Sequence, residues 1–92
     1  MNHYWISFCD TTKPMGDQFL GVAIVAASTF DLAILCARLY ALHPGGNDQA
    51  GLMIEDYTYR LIPAKYLNRI LDRATCEQFD AEMCAIMGAR NE

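Results

Sequence analysis

Nine consecutive residues, FLGVAIVAA from Phe19 to Ala27, carry no polar side chain, and this run limits the possible folds more than any other feature. Both alternating sets are apolar: Leu20, Val22, Ile24 and Ala26 form one, and Phe19, Ala23, Val25 and Ala27 the other. Such a strand is covered on both faces, and the expectation is that it is the central strand of a sheet. Ser28 can then offer its hydroxyl to the first free amides of a helix, with Asp31 adding a carboxylate near the positive helix end. That helix is expected to stop near Leu42 or His43, because Pro44 disfavours helical geometry before it and Gly45 and Gly46 tolerate left-handed conformations.

The helix is almost uncharged, with Asp31 and Arg38 its two charges between Thr29 and Leu42. Leu32, Leu35, Cys36, Leu39 and Leu42 recur at helical spacing and form the stripe expected to face the sheet. Phe30, Ile34, Ala37 and Ala41 lie off that stripe, so a second apolar face also needs cover. Either the C-terminal segments or a second copy of the chain can supply it, and the second copy is the favoured expectation.

Before this unit, residues 3–9 alternate, with Tyr4, Ile6 and Phe8 on one face and His3, Trp5, Ser7 and Cys9 on the other, as in a half-buried strand. DTTKPMGDQ at 10–18 joins the two strands as a long hairpin loop whose Thr11, Thr12, Lys13 and Asp17 are available to a ligand. After the helix comes a polar, glycine-bearing loop at 44–51, then a short strand at 52–55. A right-handed crossover would set that strand parallel to the central one. Residues 57–62 continue it or add an edge. Pro63 suits the start of a helix over 63–72, with Tyr66, Leu67, Ile70 and Leu71 as its apolar face. Thr75 and Gln78 read as the capping box of a last helix, lined by Phe79, Met83, Ile86 and Met87, closed at Gly88 and followed by a frayed tail. The expected fold is α+β: one domain over 1–92, a small mixed sheet of three to four strands packed with helices, in the order β-β-α-β-α-α.

Composition narrows the function. A net charge of −4 argues against broad binding to nucleic-acid backbones, and 53% hydrophobic with 20% charged residues marks an ordered globular chain that gains burial by self-association. The N-terminus lacks signal-peptide character and no run is long enough to span a bilayer, so the expected location is the cytoplasm, with no membrane partner. The four cysteines, Cys9, Cys36, Cys76 and Cys84, form no CxxC pair and have no histidine at metal-ligand spacing; they read as reduced, mostly buried packing residues, and no metal or other cofactor is expected. No Ser/His/Asp, Cys/His or paired-carboxylate arrangement stands out, so no catalytic residue is assigned and the chain reads more readily as a binder than an enzyme.

Two constellations carry a binding hypothesis. Lys65, Arg69 and Arg73 are spaced four apart, so on a helix they share one flank, and with Arg60 they form a basic group able to clamp phosphates or carboxylates. Glu55, Asp56, Glu77 and Asp80 flank them and can equally neutralise them. Tyr4, Trp5, Tyr57 and Tyr59 are candidates to stack on a planar ligand, although strand aromatics more often serve a core or interface.

The segments HYWISFCD, GDQFLGVAIV, HPGGNDQAG and LIPAKYLNRIL resemble short accessory proteins of bacteria and their phages, over most of the chain. That resemblance implies an accessory or anti-defence factor, of the kind that sequesters a nucleotide immune signal or blocks a host protein, and it carries over no functional residue. The leading expectation is a non-enzymatic homo-oligomer holding a small anionic, nucleotide-type ligand between subunits. Lys13, Asn47, Arg60, Lys65 and Arg69 would grip the anionic part, while Trp5 or Tyr59 would stack on the planar part. The alternative is a protein–protein interaction inhibitor of a host defence or nucleic-acid-processing complex.

Overall fold

The computed structural model describes residues 1–90, with the side chains of 1–88. Its elements are β1 (Asn2–Cys9), β2 (Phe19–Ala27), α1 (Phe30–Leu39), β3 (Asp48–Ile54), the short α2 (Asp56–Tyr59), a 3-10 turn (Ala64–Tyr66) and α3 (Arg73–Arg90). The protein is α+β, with one three-stranded sheet in the order β2-β1-β3. Both pairings are antiparallel: Trp5 stands opposite Ile24 on one side and Leu52 on the other.

β1, rather than β2, is therefore central, and β3 pairs with β1 instead of lying parallel beside β2. The apolar run in β2 correctly signals two covered faces. It says nothing about edges, because side-chain alternation reports what lies above and below a strand and not what lies beside it. The crossover through α1 passes over β1, whose Tyr4, Ile6 and Phe8 are buried beneath it together with Ala23, Val25 and Ala27 of β2. On the opposite face, Val22 and Ile24 pack with Ile62, Tyr66, Leu71, Phe79 and Met83, so the C-terminal third covers the sheet and not the outer face of α1. Burying a side chain such as Phe8 or Leu71 contributes roughly 1.5–3 kcal/mol.

α1 is turned relative to the expected stripe. Ala33 and Ala37 are fully buried against the sheet, whereas Leu32, Leu35 and Leu39 are exposed. Small residues at the contact let the helix axis approach the alanine-rich β2, and the bulkier leucines are left outside. The cap is Thr29, one residue beyond Ser28, with its Oγ1 accepting from the Leu32 amide at 3.2 Å. The helix ends earlier than Leu42. Ala41 takes a left-handed φ of 58°, and the amides of Ala41 and Leu42 return to the carbonyls of Arg38 and Ala37, a Schellman closure that swings Leu42 into the core.

Residues 67–72 are not helical. Leu71 instead makes a single antiparallel bridge to Val22, with reciprocal backbone hydrogen bonds of 2.9 and 2.7 Å that occupy part of the outer edge of β2. α3 is capped by Asp72 rather than Thr75: its carboxylate accepts from the Thr75 amide at 2.8 Å. The helix runs through Gly88 to Arg90, since one exposed glycine weakens a helix without ending it. The remainder of the tail expected to fray lies outside the described residues.

Candidate ligand cleft

A cleft of about 370 Å³ opens where β3, α2 and α3 meet on the sheet face opposite α1. β1 contributes Trp5 because odd-numbered residues of that strand point to this face, and its indole lies 4.9 Å from the Phe79 ring of α3. Ile62 closes the base, Leu52 and Ile54 of β3 form one wall, and Tyr57 and Thr58 of α2 stand at the mouth. Two carboxylates, Glu55 and Asp80, complete the lining, and among the described residues no lysine or arginine takes part. The surface suits a flat apolar body, with acceptors at its rim for N–H groups.

A second hollow of about 570 Å³ runs beside Val25 and Ala26 under Cys36 and Tyr40. It is larger, but among the described residues its polar side-chain groups are few, the Asn68 amide, the Tyr40 hydroxyl and the Cys36 thiol, set in an otherwise apolar lining.

Of the residues expected to grip or stack on a ligand, the structure brings Trp5 to the cleft, together with Tyr57 from the wider set of stacking candidates. Tyr59 belongs to the same apolar cluster, but its ring is stacked on His3 at 3.6 Å. Asn47 is engaged elsewhere: its Oδ1 accepts from the Thr11 amide at 2.9 Å and its Nδ2 donates to the Thr11 hydroxyl at 2.8 Å, clasping the loop before β3 to the β1–β2 hairpin. Lys13 lies exposed in that hairpin loop, whose own bonds hold it closed, including Asp10 amide to Gln18 carbonyl at 2.8 Å. The Asp10 carboxylate accepts from Thr12 amide and hydroxyl, which lowers its pKa.

The basic stripe does not form as a helical flank. Lys65 sits on the 3-10 turn, Arg69 in the bend that follows, and Arg73 opens α3 with its guanidinium 5.3 Å from the Phe19 ring centre. Lys65 is paired with Glu82 at 2.6 Å, which raises the lysine pKa and lowers that of the carboxyl. Arg60 and Arg69 are exposed, each on a different segment.

Two groups with reactive chemistry, Cys76 and His43, are perturbed by their surroundings. Burial, with Asp80 and Asp72 assisting, pushes the Cys76 thiol up, which disfavours the nucleophilic thiolate. The three other cysteines are also unpaired, with Cys84 exposed. His43 accepts from the Gly45 amide through Nδ1 at 3.1 Å, and burial followed by the Arg38 charge lowers its pKa. Among the described residues no group of three His, Cys, Asp or Glu side chains is placed to hold a metal ion, and no helix is long and apolar enough to cross a membrane.

Sequence reasoning missed Glu55, Ile62, Phe79 and Asp80 as cleft residues. Tyr57 and both acids are conspicuous in the sequence, but nothing local marks them as neighbours of Trp5, because the turn that carries α3 across that residue has no local signature. Comparison with protein-family models, curated proteins and solved structures returns no match.

Proposed function

We propose that the chain is a small, non-enzymatic binding protein that works as a homo-oligomer and holds the planar ring of a nucleotide-type ligand in the Trp5 cleft. The observation that carries this reading is the pairing of aromatic walls, Trp5, Tyr57 and Phe79, with the rim carboxylates of Glu55 and Asp80. A nucleobase offers both a stacking face and amino or imino donors to such carboxylates. Phosphates find no cation in the cleft lining among the described residues, so the ring supplies the affinity and any phosphate points outward. Sequestration of a cytosolic nucleotide signal, as the likeness to phage accessory proteins suggests, needs such binding without turnover.

Calorimetric titration with purine and pyrimidine nucleosides and their monophosphates tests this. Nucleosides should bind at least as tightly as the nucleotides. Tyr57→Ala, at a position 55% exposed, should weaken binding about tenfold, the loss of ~1.4 kcal/mol of stacking, without unfolding the protein. Absence of binding by all of them at millimolar concentration would sink the reading.

A second reading, inhibition of a protein partner, rests on the outer face of α1, where Leu35, Leu39 and Tyr40 are 54%, 78% and 72% exposed. Capture of a defined host protein by the wild type, lost in Leu35→Lys with Leu39→Lys, would favour it; equal capture by both would count against it.

A further inference from the structure

We propose that two copies of the chain join along the free edge of β3, as an antiparallel strand pair centred on Gly51, and that the joint completes the Trp5 cleft. This inference rests on the homo-oligomer part of the function proposed above and says where the copies meet. Val22 gives both its N–H and its C=O to Leu71, away from β1, although it stands opposite Ser7. Alternation along the antiparallel ladder then turns the N–H and C=O of Ser7, Trp5 and His3 toward β3, where they meet Ala50, Leu52 and Ile54. The intervening residues Gln49, Gly51 and Met53 face outward, and none of them has a backbone partner across that edge among the described residues.

An outward row of donors and acceptors calls for another extended strand. Soluble proteins that leave such an edge open ordinarily blunt it with lysine, proline, a bulge or a covering segment. From Gln49 to Ile54 this edge has no charge and no proline, its pairing with β1 is regular, and Leu52 and Met53 are 70% and 57% exposed on opposite faces. β2 differs, because Leu71 already occupies part of its outer edge.

Register selects a second copy as the occupant. With the two-fold axis at Gly51, Gln49 meets the partner's Met53, Gly51 meets the partner's Gly51, and about six backbone hydrogen bonds form. Leu52 then stands beside the partner's Ala50, large against small, on the face of the sheet that carries Trp5. Asp48 falls opposite the partner's Ile54, and Glu55 opposite the partner's Asn47, so no carboxylate directly opposes another. Moving the axis to residue 50 or to residue 52 pairs only two of the three outward residues of the strand with outward residues of the partner strand. Within each copy the Phe30 ring covers Gly51, which roofs the glycine pair where no side chain is present. Leu52 and Ile54 also form one wall of the cleft, so the added strand extends that wall and brings the partner's Asp48 beside Ile54 as a third acceptor.

The test compares wild type, Met53→Lys and Leu39→Lys by native mass spectrometry and light scattering, with amide hydrogen exchange of Gln49, Gly51 and Met53 read by NMR. Far-UV circular dichroism checks that each variant is folded. The wild type should have twice the 10.3 kDa chain mass, Met53→Lys should fall to the single-chain mass with faster exchange at Gln49 and Gly51, and Leu39→Lys should remain double. A wild-type oligomer that Met53→Lys leaves intact, or that Leu39→Lys alone disperses, overturns the β3 interface while retaining self-association. A wild type that stays at the single-chain mass at high micromolar concentration overturns both.

Discussion

The Phe30 ring occupies the space above Gly51 that a β-carbon there would need, tying the first turn of α1 to the last strand of the sheet. Phe30 also meets Tyr4 edge-on, with ring centres 5.9 Å apart, so it cannot swing aside without losing a contact in the core. Gly51→Ala should therefore destabilise the protein by about 1–3 kcal/mol, the range for overpacking a filled site. Urea unfolding of Gly51→Ala and of Gly51→Ala with Phe30→Leu checks the cause. The second change should recover part of the loss relative to Phe30→Leu alone, and strict additivity would show that the ring is not the obstacle.

Leu71 is fully buried although it lies in an extended segment, so it should behave as a core residue. Leu71→Ala is expected to cost about 2–5 kcal/mol in chemical denaturation. A loss below ~1 kcal/mol would mean that the segment peels from β2 with little consequence.

Ala41 adopts a left-handed φ at the position where a Schellman closure favours glycine. Ala41→Gly should raise stability by about 0.5–1 kcal/mol, because relief of the left-handed strain outweighs the extra freedom glycine gives the unfolded chain. A thermal melt that moves down would contradict this.

Two pH windows should separate in a stability profile. His43 is disfavoured as a cation in the fold by burial first and Arg38 second, so the unfolded chain takes up that proton more readily. Stability from this site is complete above the unfolded value of 6.5 and is lost as pH falls from there through the lower folded value. His43→Gln should flatten the slope that lies just below 6.5. Below that, the Asp72 cap matters: the Thr75 hydrogen bonds lower its pKa, so its contribution is present above 3.8 and disappears as pH falls through the lowered folded value. Asp72→Asn should flatten only this acidic part of the melting-temperature profile. A slope unchanged by either substitution would remove that group from the linkage.

The α+β class and the rough order of elements were legible because periodicity is local, but the caps fell at Thr29 rather than Ser28 and at Asp72 rather than Thr75. Residues 57–62, expected to continue β3 or add an edge, begin instead in the short α2. β1, β2, α1 and α3 each announce themselves through residue spacing, as Tyr4, Ile6 and Phe8 do for β1. The position of β1 between its neighbours was not legible, since the faces of a strand are written in its side chains and its edges are not. α1 misled for a related reason: five residues make a convincing stripe, yet Ala33 and Ala37 provide the closer fit to β2, and packing distance outweighs the hydrophobicity of the leucines. The 63–72 segment had helical spacing, but Leu71 gains two backbone hydrogen bonds and complete burial by staying extended on Val22. In the cleft, Trp5 was found because an aromatic on the less apolar face of a strand is conspicuous, while Asp80 and Phe79 reach it only through tertiary docking of α3.

The central place of β1 has a consequence for how the chain is made. Of the three strands it is translated first, yet one of its two neighbours, β3, emerges only after α1 and the glycine loop. A nascent β1–β2 hairpin therefore leaves the ribosome with an open backbone edge on β1, the side later filled by β3. Long-range closure of this sort is slow, and an open edge is exposed to other chains for its duration. Because the outer edge of β2 also waits for Leu71, which emerges later still, the strand at the heart of the finished sheet shares with its neighbour the early risk of mispairing during crowded synthesis.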